Sequence, residues 1–317
     1  EPETATAWIA ETLKAAGATI VNGQDPSVLP KARKNKVELA GTRKAHIRDG
    51  AAMARFLHWI DREAVGQGEL AVMARLEEIR GADGLHKGAS FTTIAGAGSN
   101  GAIVHYRSSP ETERKVEKGT FLLIDSGAQY LDGTTDITRT IAVGRVPKRL
   151  REHYTLVLKG HIAVATARFP KGTGGIAIDG FARRALWQAG LDFDHGTGHG
   201  VGVYLGVHEG PARLSPLSQV PLEPGMILSN EPGYYQTGSH GIRLENLVVV
   251  TESAKPGFLE FETITFCPFD RRAIEVTLLT AEERNWLDAY HARTRDLLVG
   301  QLKGGDRAWL LRMTAPL

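Results

Sequence analysis

The sequence predicts an α+β fold in which helices cover a curved, mostly antiparallel β-sheet. From Phe91 onward, short apolar runs are separated by glycine-rich turns, which is typical of strands. Two helical segments interrupt these runs, but strands and helices do not alternate regularly, as they would in a parallel α/β sheet. Both observations favour the α+β class.

Helical periodicity dominates the first third of the chain. A short amphipathic helix is expected over residues 5–16, closed by Gly17, with residues 18–21 following as a short strand. Longer helices are predicted over residues 36–61 and 69–79, where apolar residues recur every three or four positions. The remaining helices are expected over 148–169, 176–189 and 281–302.

Eight stretches are predicted as strands because they are short, apolar and bounded by glycines. In chain order they are FTTIAGAG, AIVHY, FLLIDSGAQY, TTDITRTIAVG, GVYLGVH, MILSNEPGYY, IRLENLVVVTE and LEFETITF. Several of them carry a carboxylate or an imidazole at the strand end or in the turn that follows.

Composition excludes several classes of function. The chain has 317 residues, and its 38 Lys and Arg against 36 Asp and Glu leave a net charge of only +2, without a dense basic run. Nucleic acid is therefore not an expected partner. No apolar stretch approaches the roughly 18 residues that span a bilayer, and the first residues lack the pattern of an export signal, so we expect no membrane partner. With a single cysteine, Cys267, we expect a cytoplasmic protein whose metal site uses nitrogen and oxygen ligands.

Five residues in separate stretches could ligate metal: Asp125, Asp136, His199, Glu231 and Glu245. Asp125 directly follows the apolar run FLLI, where a carboxylate loses hydration and needs a cation or several hydrogen bonds. Four carboxylates and one imidazole suit Mn²⁺, Co²⁺ or Zn²⁺, and they carry enough charge for two ions if some of them bridge.

Each of these residues, taken singly, is more often a turn residue or part of a solvated face than a ligand. The set is harder to explain in that way. Glu245 lies within IRLENLVVV, a run apolar enough to be buried, where an unpaired carboxylate would be costly.

The histidines divide into two groups. Three of the eleven, His195, His199 and His208, fall in the glycine-rich segment HGTGHGVGVYLGVHEGP, where small neighbours let a ligand approach the backbone. His105 follows another apolar run. Six others show no partner pattern and are interpreted as structural: His46, His58, His86, His153, His161 and His291.

These motifs together resemble a known family. DSGAQYLDGTTD, HGTGHGVG, VHEGP, EPGYY and GIRLEN stand in the order and at the separations of the metallopeptidase family with the pita-bread fold, M24, and of its Xaa-Pro aminopeptidase (aminopeptidase P) branch. The resemblance covers about residues 36–317. It implies a peptide substrate with proline in the second position, a free amino terminus, and a homodimer.

The resemblance also implies a role for each residue. Asp125 would bind one metal, His199 and Glu231 a second, and Asp136 and Glu245 would bridge both, with Mn²⁺ expected and Co²⁺ or Zn²⁺ as alternatives. A hydroxide between the metals would attack the peptide carbonyl, with Glu231 accepting the proton. The catalytic residues implied are Glu231, His208, His105 and Arg243, and those implied to bind substrate are His105, His195, His208 and Tyr235.

Domain organisation and two alternatives follow from the same resemblance. Residues 1–35 are expected to be the remnant of a preceding creatinase-like domain, and residues 36–317 the catalytic domain, so we expect a piece of a longer polypeptide. One alternative is a prolidase, which accepts only dipeptides. The other is a non-catalytic peptide-binding module of the same fold, which should have replaced at least one ligand. Retention of all five also disfavours a metal-free, creatinase-like activity.

Overall fold

A computed structural model describes residues 1–2 and 4–317 of the chain. Eight α-helices are present in this part: α1 (Ala7–Ala15), α2 (Val28–Ala32), α3 (Lys36–Glu63), α4 (Glu69–Gly81), α5 (Lys148–Ala165), α6 (Gly175–Gln188), α7 (Ala281–Leu298) and α8 (Gly304–Met313). The longest, α3, begins with a capping box in which Asn35 accepts from the Glu38 amide and the Glu38 carboxylate accepts from the Asn35 amide. None of these helices is long and apolar enough to cross a membrane.

The described residues form thirteen strands: β1 (Ile94–Ala97), β2 (Thr120–Ser126), β3 (Gln129–Tyr130), β4 (Gly133–Thr134), β5 (Ile137–Val143), β6 (Arg168–Pro170), β7 (Gly198–His199), β8 (Arg213–Leu214), β9 (Ile227–Asn230), β10 (Gly233–Gln236), β11 (His240–Arg243), β12 (Asn246–Glu252) and β13 (Phe258–Thr263). The larger sheets have the orders β1-β2-β5 and β6-β13-β12-β9, and every strand pair in them is antiparallel. The predicted α+β class with an antiparallel sheet is confirmed.

Two hydrophobic cores hold the helices on the sheets. The larger packs α5 and α6 against the four-stranded sheet, with Tyr154, Leu158 and Leu186 fully buried. The smaller packs α3, α4 and α8 against the three-stranded sheet around Phe56 and Trp309. Each sheet is therefore covered by helices.

The two sheets meet at β5. Its Thr138 carbonyl accepts from the Glu245 amide at 3.1 Å, and its Thr140 hydroxyl accepts from the Arg243 amide at 3.1 Å. Arg139 is buried and donates to the backbone carbonyls of Glu245 and Cys267. This junction brings β2 and β5, with their aspartates, against the strand ends that carry Glu231 and Glu245.

Several predicted elements are wrong. Helix α5 stops at Ala165 instead of residue 169, because Thr166 ends it and Phe169 belongs to β6, where it packs on Phe261 at 5.1 Å between ring centroids. The C-terminal helix ends at Leu298, and a separate helix, α8, was missed.

Three predicted strands are absent from the described residues. Residues 18–21 have no regular structure. The stretch AIVHY lies in a 3₁₀ turn and the bend after it, and GVYLGVH forms a loop. Before the first of these, the backbone of Gly101 touches β11, since a Cβ on Gly241 would lie 1.6 Å from the Gly101 carbonyl oxygen. Within the second, the Gly202 amide donates to the Gly206 carbonyl at 3.0 Å.

Candidate metal centre

The five predicted ligands lie at strand ends around the junction of the two sheets. Asp125 is the second-to-last residue of β2, and Asp136 directly precedes β5. Glu231 directly follows β9, and Glu245 lies in the short link between β11 and β12. His199 ends β7, which reaches β9 closely enough that a Cβ on Gly198 would lie 1.9 Å from the Ser229 carbonyl oxygen. A glycine before His199 is therefore required for its position.

Three of the ligands form a compact cluster. Asp136, His199 and Glu245 each place one potential ligand atom within 4.8 Å of the others. The Nε2 atom of His199 lies 3.5 Å from Asp136 Oδ2 and 3.3 Å from Glu231 Oε1, so Glu231 adjoins the cluster through the imidazole. Asp125 is the outer member, with its Oδ2 held by Arg243.

The His199 ring is oriented for ligation. Its Nδ1 lies 3.0 Å from the Gly200 carbonyl oxygen, which can only accept a hydrogen bond, so Nδ1 carries the proton. The lone pair of Nε2 then points at the carboxylates. This is the second-sphere arrangement typical of histidines that bind metal.

Within the described part of the chain, three carboxylate oxygens at the site lack hydrogen-bond partners, which bears on whether the site suits a cation. Oδ1 of Asp125, Oδ1 of Asp136 and Oε1 of Glu245 are buried and have no hydrogen-bond partner among the described residues. A buried anionic oxygen without a donor is costly, and cations satisfy such oxygens most simply. Hard carboxylate oxygens with one imidazole fit Mn²⁺, Co²⁺ or Zn²⁺.

Electrostatics support the same conclusion. Burial raises the pKa of Asp136 well above its ordinary value, and the nearby charges of Asp125 and Glu231 raise it further. Burial, then Asp136 and Glu231, likewise raises the pKa of Glu245. The pKa of Glu231 is raised chiefly by burial, against the opposing effect of His199. Mutual repulsion of this kind is relieved when divalent cations bind.

A line of hydrogen bonds leads from Asp125 to His195. Arg243 Nη2 donates to Asp125 Oδ2 at 2.7 Å, and its Nη1 donates to the Tyr235 hydroxyl at 2.7 Å. Tyr235 in turn lies 2.8 Å from His195 Nε2, and His195 Nδ1 lies 2.8 Å from the Gly196 carbonyl, so the hydroxyl donates to Nε2. Burial lowers the pKa of His195 to about 4 and raises that of Tyr235 to about 12, which keeps both groups neutral.

The remaining predicted residues lie beside the cluster. The ring of His208 packs edge-on against that of His199, with centroids 4.2 Å apart. Its pKa is lowered by partial burial and by the neighbouring His199 and His105. His105 is exposed and lies close enough to influence both His195 and His208. The predicted site residues therefore lie near one another.

Two supporting ion pairs were missed by sequence reasoning. Asp179 and Arg183 on α6 are buried, and Asp179 accepts from the Thr197 hydroxyl at 2.8 Å while Arg183 Nη2 donates to the His195 carbonyl at 2.7 Å. Their spacing of four residues predicts an ion pair on a helix. Nothing in it indicates that the pair holds the HGTG segment.

The second missed pair supports Asp136. The carboxylate of Asp49, on α3, accepts hydrogen bonds from Nε and Nη2 of Arg80, at 2.9 and 3.0 Å. It also accepts from the hydroxyls of Tyr130 and Thr135, each at 3.0 Å. Thr135 precedes Asp136, so this buried network fixes the hairpin between the two aspartates. In the sequence, Asp49 lies on a helix and resembles an ordinary surface carboxylate.

Comparison with known proteins decides the family. Residues 40–252 match metallopeptidase family M24, and residues 257–317 match the C-terminal region of peptidase M24. The chain belongs to metallopeptidase family M24. Its predicted pita-bread fold is thereby confirmed, and the carboxylate and imidazole cluster lies within the matched M24 residues.

Relatives of this M24 chain are proline-specific peptidases. A Laccaria bicolor protein named "Probable Xaa-Pro aminopeptidase P" is 48% identical over 302 residues, which is 90% of this chain and 47% of that protein. The crystal structure of X-prolyl aminopeptidase from Caenorhabditis elegans, described as a cytosolic enzyme with a di-nuclear active site, has a TM-score of 0.89 and 38% identity. It covers 93% of this chain and 50% of that one.

A more distant solved structure belongs to a dipeptidase. The Xaa-Pro dipeptidase from Bacillus anthracis has a TM-score of 0.75 and 31% identity, and the match covers 85% of this chain and 72% of that one. The M24 chain thus spans about half the length of the curated relatives and of the nematode enzyme that it matches.

Proposed function

We propose that the chain is the catalytic part of a dimetal Xaa-Pro aminopeptidase, which releases the N-terminal residue from peptides with proline in the second position. One observation carries the proposal: the buried carboxylates Asp136 and Glu245 cluster with a histidine oriented for ligation, and each has an oxygen without a hydrogen-bond partner among the described residues. The similarity to the nematode enzyme with a di-nuclear active site supports the number of metals and the substrate class.

Asp125, Asp136, His199, Glu231 and Glu245 would hold two divalent cations, for which we propose Mn²⁺, with Co²⁺ or Zn²⁺ able to replace it. When bound, the cations supply Lewis-acid activation of a water molecule and of the peptide carbonyl. Metal binding itself removes the repulsion among Asp136, Glu231 and Glu245.

Glu231 is proposed to move the proton. Its carboxylate accepts from the Ser229 hydroxyl at 2.9 Å, and its amide donates to the Thr197 carbonyl at 2.8 Å, so its position is fixed. Held in this position beside His199, Glu231 can accept the proton that water loses during attack. The same group can return that proton to the leaving nitrogen, which in an Xaa-Pro bond has no hydrogen of its own.

The three histidines beside the cluster are proposed to bind the substrate. His208 adjoins His199 and is placed to donate to the substrate near its carbonyl, while His195 and His105 would form the wall of the proline pocket. Tyr235 keeps His195 in one tautomer, and Arg243 orients both Tyr235 and Asp125.

Three further proposals accompany this function. A cytoplasmic location is supported by the description of the nematode relative as cytosolic. Residues 1–35 are proposed to belong to a preceding domain, and the exposure of Trp8, Ile9 and Leu13 on α1 supports this. A homodimer is proposed from the family resemblance, and light scattering of the purified protein would test it.

A set of peptides tests the specificity. We expect release of arginine from Arg-Pro-Pro in the presence of Mn²⁺, and none from Arg-Ala-Ala or from Arg-Pro-Pro with an acetylated amino terminus. Cleavage of the dipeptide Arg-Pro alone, with no cleavage of the tripeptide, would replace the proposal with a prolidase. Failure to cleave any of them while binding Mn²⁺ tightly would favour a binding module.

A further inference from the structure

Lys34, between α2 and α3, buries its ammonium group beside the loop that carries His208. Its side chain is only 3% exposed, and Nζ donates to Glu209 Oε1 at 2.9 Å. Glu209 is the residue after His208, and its side chain is 8% exposed. A buried charged pair is expensive to form, so it is informative where it occurs beside a reaction site.

The lysine itself is held in a fixed place. Its amide donates to the Gly225 carbonyl at 3.0 Å, just before β9, and Gly225 in turn donates to the Val250 carbonyl of β12 at 2.9 Å. Gly225 has a φ of +90° and lies so close that a Cβ there would be 2.8 Å from the Lys34 carbonyl oxygen. Ala32, two residues earlier, is buried in the larger core. These contacts hold the backbone of Lys34 against the four-stranded sheet.

The carboxylate of Glu209 is the other end of the connection. The Glu209 amide donates to the Gly200 carbonyl at 2.8 Å, and the same carbonyl accepts from His199 Nδ1 at 3.0 Å. A Cβ on Gly200 would lie 2.0 Å from the Glu209 carbonyl oxygen, so these two backbones touch. The position of Glu209 therefore determines the position of the Gly200 carbonyl, which orients His199. It also determines the backbone position of the preceding residue, His208, whose ring packs against that of His199.

We propose that Lys34 is a positioning residue of this site: through Glu209 it holds the 200–209 loop in the conformation that places His208 and the Gly200 carbonyl. The proposal rests on the proposed function as far as catalysis is concerned. Lys34 precedes the residues matched by the family, which start at 40, so a contact made by the N-terminal segment would help to build the site.

Lys31 provides a matched control. Its Nζ lies 3.3 Å from the other carboxylate oxygen of the same Glu209, but its side chain is 50% exposed. An exposed ion pair of this kind contributes little, because water and salt screen it. Removing either lysine deletes one positive charge near Glu209, so long-range electrostatics are similar in the two variants.

The test compares Lys34→Met, Lys31→Met and Glu209→Gln in the full chain, assayed well below the unfolding temperature of each. Two readouts are needed: kcat and KM for Arg-Pro-Pro, and hydrogen exchange of the backbone amides of residues 200–209. We expect Lys34→Met to lower kcat/KM about 10- to 100-fold, as small displacements of catalytic groups do. In Lys34→Met, hydrogen exchange in the 200–209 loop should be faster than in the wild type. In Lys31→Met, both kcat/KM and the exchange rates should stay within about twofold of the wild type.

Glu209→Gln separates positioning from folding, because it keeps the shape of the side chain and lacks only the charge. If it reproduces the loss seen in Lys34→Met, and Lys34→Met adds little in the Glu209→Gln background, the pair acts as one unit. Unchanged loop exchange and unchanged kcat/KM in Lys34→Met would overturn the proposal. If the wild-type chain cleaves no peptide, the proposed function has failed, and hydrogen exchange alone then decides the role of Lys34.

Discussion

Arg243 donates a hydrogen bond from Nη2 to Oδ2 of Asp125 at 2.7 Å, and both side chains are buried. Nη1 of the same guanidinium donates to the Tyr235 hydroxyl, and that hydroxyl donates to Nε2 of His195. One arginine therefore joins a proposed metal ligand to the proposed substrate pocket, and its planar fork is what allows it to serve both.

Replacing Arg243 should affect metal-free and metal-loaded protein differently. Arg243→Met leaves the Asp125 carboxylate buried without its partner, which we expect to cost about 3–5 kcal/mol of unfolding free energy in the metal-free chain. Mn²⁺ should recover part of this loss, because a cation compensates Asp125. Urea unfolding with and without Mn²⁺ measures the difference. Arg168→Met, which breaks an exposed pair with Glu260, is the control and should change little. An equal loss in both conditions would contradict a cation beside Asp125.

Removing a carboxylate from the cluster should stabilise the metal-free chain. The pKa of Asp136 is raised by burial and by Asp125 and Glu231, so its ionised form is under repulsion in the absence of metal. Asp136→Asn is isosteric and uncharged, and we expect its melting temperature in chelator to equal or exceed that of the wild type. Added Mn²⁺ should raise the melting temperature of the wild type only.

The matched control for this prediction is Glu262→Gln, which removes a carboxylate paired with Arg43 outside the site. It should retain the full stabilisation by Mn²⁺. An Asp136→Asn variant that kept both the Mn²⁺ shift and full activity would show that Asp136 does not bridge metals.

The pair Asp179 and Arg183 should be needed for the position of His195. Arg183→Met leaves Asp179 buried and unpaired, so we expect a loss of about 3–5 kcal/mol and a higher KM for Arg-Pro-Pro. The double variant Asp179→Asn with Arg183→Met should lose less than the sum of the single variants, because it leaves no buried charge alone. Additive losses with an unchanged KM would mean that the pair contributes only to folding.

Two buried histidines should make the fold less stable in acid. Burial, followed by the charge of Arg139, lowers the pKa of both His161 and His291 to about 3. The unfolded chain binds these protons near pH 6.5, so their stabilising contribution is complete above that pH. It is lost as the pH falls towards 3, by up to about 1.4 kcal/mol per pH unit for each histidine.

His291→Gln isolates one of these histidines. The Nε2 atom of His291 accepts from the Phe269 amide at 3.1 Å, an interaction that a glutamine oxygen can also make. In chelator, the stability of the variant should fall between pH 6 and 4 less steeply than that of the wild type, by about 1.4 kcal/mol per pH unit. Equal slopes would contradict a neutral, buried His291. The cluster carboxylates titrate in both proteins, so their effect cancels in the comparison.

Sequence reasoning found the buried carboxylates more readily than the residues that support them. Asp125, Asp136 and Glu245 could be found because a carboxylate next to an apolar strand needs a counter-charge, and that need is visible in the local pattern. Asp49, Arg183 and Lys34 could not. Asp49 and Arg183 lie on helices among other polar residues, and Lys34 lies between α2 and α3. Their contacts, at Thr135, His195 and Glu209, are not neighbours in the sequence.

The strands were predicted well where a short run between glycine-rich turns forms a real ladder, as in β2 and β5, which pair over seven residues. The prediction failed at AIVHY and GVYLGVH, which are as apolar as strands but form a 3₁₀ turn with a bend and a loop, respectively. These two loops carry His105 and His208. Local propensity was overridden by tertiary contacts at positions that face the proposed substrate.

The most direct test of the dimetal account makes two measurements on the same Mn²⁺-loaded preparation: its metal content by elemental analysis, and its release of arginine from Arg-Pro-Pro. Both are made for the wild type and for Asp136→Asn. The account predicts about two ions per wild-type chain, arginine release that follows the metal content, and loss of both in the variant. Arginine release at full rate from chain that holds no metal, or from an Asp136→Asn variant with unchanged metal content, would contradict it.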